Sequence, residues 1–238
     1  EYWERIKVDD EWRVLDTITP EQMKRLEEAS DNLGISKLIL MENAGRCVVQ
    51  YLKRKFLSLN SKNVVILAGT GNNGGDGFVI ARLLAEEEAR ISIILLGEPN
   101  KLKTEEARIN WKSLKEMSKI IQTSIILDKE GVLKTIGELG NVDIIVDSIF
   151  GIGIKGNLRE PYASAVSLIN ECNGFKVAVD IPSGLDPMSG KVLSQAVRAD
   201  ATVTFHKAKI GLLSAREYVG ELIVSSIGIP LEAEQNNL

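Results

Sequence analysis

Short runs of apolar, mostly β-branched residues alternate with longer stretches of helical periodicity along most of the chain. Strands are predicted over residues 63–68, 91–96, 124–127, 142–147, 175–180, 201–205 and 221–226. Helices are predicted near residues 75–88, 103–118, 130–139 and 160–171. Several runs are apolar throughout, as in strands that are buried on both faces. The alternation therefore predicts an α/β fold with a mostly parallel central sheet that is covered by helices.

Two helices are predicted before the first of these strands. Thr19, Pro20 and Gln22 have the spacing of a capping box with proline at the first helical position. Gly34 is predicted to end that helix, and a second helix is predicted to begin near Ser36. At the other end of the chain, no long helix separates the last two predicted strands. That spacing predicts a partly antiparallel edge of the sheet.

The length and composition favour one large domain. The chain has 238 residues, of which 44% are hydrophobic, enough for one sizeable core. We place the domain at residues 17–230, with an N-terminal extension over 1–16 on its surface and a polar tail over 231–238. No internal repeat or flexible linker divides the sequence.

Charge and cysteine content narrow the classes of partner and site. The net charge is −4 and the isoelectric point is near 5.3, so nucleic acid is not an expected partner. No apolar run is long enough to span a bilayer, so no membrane partner is expected. Two cysteines, Cys47 and Cys172, and the single histidine His206 argue against a disulfide framework or a zinc site. We expect a cytoplasmic location, or a mitochondrial one if a transit segment has been removed.

Candidate chemistry begins directly after the strand at 63–68, in the stretch GTGNNGGDG. Gly69, Gly71 and Gly74 fit the G-x-G-x-x-G pattern between a strand and a helix, where backbone N–H groups can hold a phosphate. The pattern alone is weak. The additional polar residues Asn73 and Asp76 are more informative, because a simple pyrophosphate turn does not need them.

Two further strand ends are polar and rich in glycine. Asp147 ends one strand and is followed by a glycine loop, FGIGIKGN, up to residue 157. Asp180 ends the next strand, and Ser183 follows it in the proline-containing segment IPSGLDP. Each segment alone is also compatible with a simple capped turn. Together, at the carboxyl ends of one sheet, they predict one crevice. Its oxygen ligands would suit a hard cation.

These segments, taken together, resemble the YjeF N-terminal domain family, the NAD(P)H-hydrate epimerases. The matching blocks are TPEQMKRLE, LMENAGR, AGTGNNGGDGFVIARLL, VDSIFGIGIKG, VDIPSGLDPMSG and TVTFHKAKIGLL, which lie in the family's order across residues 17–213. The resemblance implies a Rossmann-like three-layer αβα sandwich, usually a homodimer. It also implies epimerisation of hydrated NADH and NADPH (NADHX and NADPHX) at C6 of the nicotinamide ring, in nicotinamide-nucleotide repair.

The resemblance also implies site residues, a bound potassium ion and a functional partner. The potassium ligands would be Asn73, Asp147 and Ser183. The substrate-binding residues would be Asn72, Asn73, Gly74, Gly75, Asp76, Gly151, Ile152, Gly153, Ile154, Lys155, Gly156, Asn157 and Asp180. Lys209 matches the lysine of a T-F-x-x-x-K-x-G pattern, to which we assign no role here. NAD(P)H-hydrate dehydratase is the expected functional partner, because many relatives carry a kinase-like dehydratase domain.

The expected chemistry needs a group that protonates the oxygen leaving C6 and deprotonates the oxygen that returns. We predict Asp180 in this catalytic role, because it ends a strand and is followed by a rigid proline segment. Loss of hydroxide to an iminium and opening of the ring are both compatible routes. Two other classes stay open: a non-catalytic dimerising scaffold, and a conventional NAD(P)-dependent dehydrogenase. The dehydrogenase lacks a clear ribose-binding acid and a hydride-transfer partner. The scaffold would not need the complete set of Asn73, Asp147, Asp180 and Ser183.

Overall fold

A central sheet of eight strands forms the framework of the protein, and a pair of two-residue strands lies beside it. The computed structural model describes residues 3–5, 16–153 and 156–237. In chain order the strands are β1 (Trp3–Arg5), β2 (Thr17–Ile18), β3 (Asn63–Ala68), β4 (Arg90–Leu96), β5 (Ile121–Ile126), β6 (Ile144–Ser148), β7 (Phe175–Val179), β8 (Ala201–Phe205), β9 (Ala208–Lys209) and β10 (Glu221–Ser225). The large sheet has the order β1-β10-β8-β7-β6-β3-β4-β5, and β2 pairs with β9.

All neighbouring strands of the large sheet are parallel except β1 and β10. The sheet has the predicted antiparallel edge, but β1 forms it against β10, and the last two predicted strands do not, because β10 runs parallel to β8. The crossover between them contains β9, a 3₁₀ turn (Ile210–Ser214) and the single-turn helix α7 (Arg216–Val219). These short elements give the connection enough length to return to the start of the sheet without a long helix.

Helices cover both faces of the sheet and produce a Rossmann-like three-layer αβα sandwich, as the resemblance implied. The longer helices are α1 (Pro20–Asn32), α2 (Lys37–Phe56), α3 (Asn72–Glu86), α4 (Glu105–Glu116), α5 (Lys129–Glu138) and α6 (Tyr162–Glu171). Helices α1 to α4 pack on one face, where Phe78 and Ile66 are fully buried. Helices α5 and α6 cover the other face around Leu67 and Ile169. The strands β3, β6 and β8 are almost entirely buried, which explains their continuous apolar runs.

Both predicted helix starts before the sheet are confirmed. Thr19 caps α1, and the reciprocal bonds between Thr19 and Gln22 complete the capping box. Ser36 caps α2 through the backbone N–H of Ile39. The short β2 strand precedes α1 and pairs in parallel with β9, so that Ile18 lies opposite Lys209. This pairing holds the beginning of α1 near the carboxyl ends of the main strands.

Both ends of the chain contribute regular structure. Within the predicted extension over 1–16, residues 3–5 form β1 on the edge of the sheet next to β10, and residues 1–2 and 6–15 lie outside the described part. Residues 231–237 form α8 (Leu231–Asn237), which packs against α1 and buries Ala233. Among the residues that the structure describes, no helix combines the length and the apolar character needed to cross a membrane.

Candidate active site

The chain reverses its direction across the sheet between β3 and β6. From β3 it proceeds outward to β4 and β5, and it then returns to β6, β7 and β8 on the other side. In open α/β sheets such a switch point opens a crevice at the carboxyl ends of the strands. The three polar strand ends predicted from sequence follow β3, β6 and β7, and so they border this crevice.

The glycine-rich stretch after β3 forms a tight turn and the first turn of α3. Helix α3 begins at Asn72, three residues earlier than predicted, with Gly71 as its N-cap. Side chains are sterically excluded at two glycines. A carbon attached to Gly69 would overlap the carbonyl oxygen of Ile149, and one attached to Gly74 would overlap the carbonyl oxygen of Gly69. The glycines therefore permit the turn to approach the loop after β6, while the N-terminus of α3 provides a site for an anion.

Asp147 and Ser183 form a buried pair across two of the strand ends. The Ser183 hydroxyl donates to Asp147 Oδ1 at 2.6 Å, and its backbone N–H donates to Asp147 Oδ2 at 2.7 Å. The Ser183 hydroxyl also accepts the N–H of Phe150 at 2.9 Å. Burial raises the pKa of Asp147 to about 6, although the hydrogen bonds from Ser183 and Ile149 oppose that rise.

Asn73 contributes an acceptor to the same region. Its side chain is buried, and Nδ2 donates to the carbonyl oxygen of Val179 at 2.7 Å, immediately before Asp180. Its Oδ1 is buried without a hydrogen-bond partner in the described part of the chain. A buried acceptor without a donor is energetically costly, which points to a ligand at this position.

Asp180 lies next to this group, with a different set of partners. Its backbone has a φ of 67°, a sparsely populated conformation for a residue with a side chain. Its Oδ1 accepts from Lys209 Nζ at 2.6 Å, from the Thr204 hydroxyl at 2.9 Å and from the Phe205 N–H at 3.3 Å. Its Oδ2 faces Gly151, because a methyl group on that glycine would lie 3.5 Å from this oxygen. One oxygen of Asp180 is thus fixed by the protein, and the other faces the glycine loop.

Lys209 is fully buried and completes its hydrogen bonding within the fold. In addition to Asp180, its ammonium group donates to the Phe205 carbonyl at 2.8 Å and to the Thr204 hydroxyl at 3.1 Å. The lysine pattern in the sequence had pointed to this residue without indicating a role. A buried ammonium with a carboxylate partner is an ion pair isolated from water, so its contribution to the stability of the fold depends strongly on its geometry.

Two further carboxyl groups, Asp76 and Glu27, interact electrostatically with Asp180. Burial, followed by the charges of Asp180 and Glu27, raises the pKa of Asp76 well above its ordinary value. Burial, followed by the charge of Asp180, raises the pKa of Glu27 to about 7. Glu27 was not among the predicted site residues, because its place on an amphipathic helix gave no sign of an interaction with a distant strand end.

The remaining predicted substrate-binding residues differ in accessibility. Asn72 is exposed at the start of α3, whereas Gly75 is buried against Met41. In the loop after β6, Gly151 and Ile152 are half-buried, and the exposed positions are Gly153, Gly156 and Asn157. Ile154 and Lys155 lie outside the described residues. His206 follows β8, and its Nε2 lies 2.7 Å from Glu234 Oε1 on α8.

The fold and this site define an α/β protein with a glycine-rich turn and several buried carboxylates at its switch point. The chain matches the family described as YjeF-related protein N-terminus over residues 37–211. It is 43% identical to the NAD(P)H-hydrate epimerase of Nitrosopumilus maritimus, covering 93% of this chain and 99% of that protein. The chain therefore belongs to the YjeF-related N-terminal family.

A second sequence comparison supports the family, and a comparison with solved structures supports the fold. The chain is 45% identical to the bifunctional NAD(P)H-hydrate repair enzyme Nnr of Pyrobaculum aerophilum, over 92% of this chain but only 43% of that enzyme. It thus spans less than half the length of that bifunctional relative. A yeast crystal structure matches with a TM-score of 0.71 and 24% identity, covering 89% of this chain and 88% of the yeast chain. That match supports the fold.

Proposed function

We propose that this chain interconverts the R and S forms of NADHX and NADPHX at C6 of the hydrated nicotinamide ring, with Asp180 as the group that moves the proton. The family and the names of the similar epimerases support the reaction. The observation that carries the catalytic assignment is the asymmetry of Asp180. Three donors occupy Oδ1, and Oδ2 faces the glycine loop.

The carbon at C6 bears a hydroxyl group and is bonded to the ring nitrogen, so it behaves as a hemiaminal carbon. Asp180 Oδ2 would give a proton to the departing oxygen and take one from the oxygen that returns on the other face. Lys209, Thr204 and the Phe205 N–H hold the carboxyl group in a fixed orientation throughout. General acid–base catalysis of this kind contributes roughly 10²–10⁴-fold to a rate. The same proton transfers serve the iminium route and the ring-opening route.

The dinucleotide portion of the substrate would lie across the switch point. The backbone of Gly71 to Gly74 and the N-terminus of α3 suit the pyrophosphate. The loop over 151–157 would contact the remainder of the substrate and exclude water from C6. Asp76 is buried and negatively charged groups act on it, so it does not suit a contact to the pyrophosphate.

A potassium ion is part of this proposal, with Asn73, Asp147 and Ser183 as its ligands. All three offer oxygen atoms, the donor type that hard cations prefer. The unpartnered Asn73 Oδ1 is the observation that favours a cation here. When bound, the ion would supply a positive charge that keeps Asp147 ionised and ties the three strand-end segments together.

We also propose that the chain acts as a homodimer and that a dehydratase consumes one of the two epimers. The bifunctional relatives, which are described as NAD(P)H-hydrate repair enzymes, support the functional partner. The homodimer rests on the family resemblance, and sedimentation of the purified chain would test it. A monomer at concentrations that support full activity would contradict it.

The direct test is to follow the interconversion of chirally resolved NADPHX by the wild-type chain and by Asp180→Asn. We expect the wild type to equilibrate the epimers and Asp180→Asn to be slower by about 1,000-fold. Asp200→Asn is a matched control, because Asp200 lies at the opposite end of the sheet, where it accepts the Lys176 N–H at 2.8 Å. Wild-type rates in Asp180→Asn would overturn the catalytic assignment. No interconversion by the wild type would favour the non-catalytic scaffold.

A further inference from the structure

The turn between β8 and β9 connects two of the three donors that hold Asp180 in place. Phe205, before the turn, donates its N–H to Asp180 Oδ1, and Lys209, after the turn, donates its ammonium group to the same oxygen. The Phe205 carbonyl also accepts from Lys209 at 2.8 Å. The conformation of residues 206–207 therefore decides where both donors lie relative to Asp180.

Backbone contacts fix only part of this turn. The N–H of His206 donates to the Ser225 carbonyl at the end of β10 at 2.7 Å, and the N–H of Lys207 donates to the Phe205 carbonyl at 2.9 Å. His206 has a φ of 67°, a sparsely populated conformation for a residue with a side chain. Such a conformation persists only where the surrounding structure holds it. The side chains of His206 and Lys207 are only 9% and 12% exposed, so their partners can supply that hold.

Glu234, on helix α8, contacts both side chains of the turn. Its Oε1 lies 2.7 Å from His206 Nε2 and 3.4 Å from Lys207 Nζ. His206 Nε2 has no aligned hydrogen-bond partner in the described part of the chain, so this contact acts through packing and charge. Lys207 Nζ also lies 2.8 Å from Asp16, but the Asp16 side chain is 77% exposed, whereas that of Glu234 is 24% exposed. Because water and salt screen exposed pairs most, Glu234 is the stronger anchor of the turn.

Helix α8 is itself fixed to the body of the protein. It packs against α1, where Ala233 is buried, and the Ala233 N–H donates to the Pro230 carbonyl at 3.0 Å. Glu234 follows Ala233 directly and is half-buried. A closely packed neighbour limits the freedom of the helix, so the Glu234 carboxylate approaches the turn from a fixed position. The contacts therefore run from α1 through α8 to the turn, and from the turn to Asp180.

We propose that Glu234 is a positioning residue for the epimerisation, which holds residues 206–207 so that Phe205 and Lys209 keep Asp180 in its working orientation. Glu234 neither touches the substrate nor transfers a proton in this role. It acts on Asp180 Oδ1 through the turn, and Asp180 Oδ2 stays directed toward the glycine loop. The C-terminal segment, which the sequence presents as a polar tail, is then part of the framework of the site.

This inference rests on the proposed function, so its first test is independent of activity. Hydrogen exchange of the substrate-free full chain, measured residue by residue by NMR, reports how often each backbone N–H opens to solvent. In Glu234→Ala we expect the amide protons of Phe205 and His206 to exchange about tenfold faster, and those of β3 to exchange at the wild-type rate. Unchanged exchange at Phe205 and His206 would overturn the inference, whatever the activity of the variant.

The second test is the measurement of kcat and KM for chirally resolved NADPHX. We expect Glu234→Ala to lower kcat about tenfold and to change KM by less than about twofold, because it displaces the donors to the reacting group and not the dinucleotide contacts. Glu234→Gln keeps an oxygen atom beside His206 and Lys207 and should recover part of kcat. Gln235→Ala is the matched control, since Gln235 is the exposed neighbour on α8 and should keep the wild-type values.

The Asp180→Asn background separates positioning from a loss of folded protein. In that background we expect Glu234→Ala to cause no further loss of kcat, because its effect passes through Asp180. A further tenfold loss there would indicate a role in stability alone and would overturn the inference. Equal kcat in wild type and Glu234→Ala would also overturn it while leaving the epimerase function standing. A wild type without epimerase activity would instead overturn the proposed function, and the inference with it.

Discussion

Two aspartates end neighbouring strands of the same sheet, but they have opposite electrostatic surroundings. Asp147 lies in β6, and Asp180 directly follows β7, which pairs with β6. Both side chains are buried. Asp180 has a buried ammonium at 2.6 Å, whereas Asp147 accepts its hydrogen bonds from the neutral donors Ser183 and Ile149. The same residue type at equivalent strand ends therefore has two different electrostatic environments, which suit the two different roles proposed above.

The difference shows how a fold can assign roles to identical side chains. At Asp180 a lysine and two further donors occupy one carboxylate oxygen and leave the other facing the glycine loop, which suits the proposed proton transfer. A buried carboxylate with only neutral donors must either bind a proton or attract a cation from solution. Asp147 is of this second kind, because its burial without a cationic partner raises its pKa. The following variants test this contrast, in order of decreasing expected effect.

Removal of the lysine should have the largest effect. Lys209→Met leaves Asp180 buried without its cation, so we expect a loss of about 3–5 kcal/mol in the free energy of unfolding, measured by urea denaturation. The double variant Lys209→Met with Asp180→Asn removes both charges and should regain much of that stability, though not activity. If the double variant were less stable than Lys209→Met alone, the ion pair would not be the reason for the loss.

Removal of the negative charge at Asp147 should abolish the response to potassium. At a potassium concentration about 100 times its dissociation constant, the bound ion should stabilise the wild type by about 2.7 kcal/mol. Asp147→Asn should show no such gain in the melting temperature, with choline chloride as the control for ionic strength. Asp180→Asn should keep the potassium response even though it loses activity. An equal potassium response in wild type and Asp147→Asn would exclude Asp147 as a ligand.

When potassium is absent, the raised pKa of Asp147 should make the free energy of unfolding depend on pH. An acid with a folded pKa above its unfolded value binds more protons when folded, so stability falls as the pH rises between the two values. With values of 3.8 and about 6, the fall should occur between pH 4 and pH 6 and amount to something on the order of 2 kcal/mol. The difference between wild type and Asp147→Asn isolates this contribution from Glu27 and Asp76. Identical slopes in the two proteins would contradict the assignment.

The sequence was sufficient to predict the strand ends that border the crevice. Strand–helix alternation and three glycine-rich strand ends placed Asn73, Asp147, Asp180 and Ser183 at one edge of the sheet, and the structure brings them together there. Their roles as ligands and as a catalyst stay predictions. This prediction was possible because the carboxyl ends of parallel strands meet at the same edge of the sheet, independently of how the side chains pack.

The partners of Asp180 were not predictable in this way. Lys209 lies in the two-residue strand β9, and the two-residue strand β2 pairs with β9 and leads into α1, which carries Glu27. Both strands are too short to give a periodic pattern. The parallel direction of β10 was missed for a related reason, since its crossover uses one-turn elements instead of a long helix. The placement of these charges depends on tertiary contacts between segments that are almost 200 residues apart.

The smallest expected effect comes from Gly151, which lies between the two aspartate environments. A methyl group there would lie 3.2 Å from Asn73 Nδ2 and 3.5 Å from Asp180 Oδ2, so Gly151→Ala should shift both side chains slightly. We expect about a tenfold loss in kcat/KM for NADPHX, because small displacements of reacting groups reduce rates strongly. Gly137→Ala, on α5 and outside the candidate site, is the matched control, since a methyl group there meets nothing within 4 Å and should change the rate by about twofold at most. Equal rates for the two alanine variants would mean that the space between Asn73 and Asp180 is not where the ring is held. A selective loss in Gly151→Ala would place the reacting ring between the proposed cation site and the proposed proton carrier.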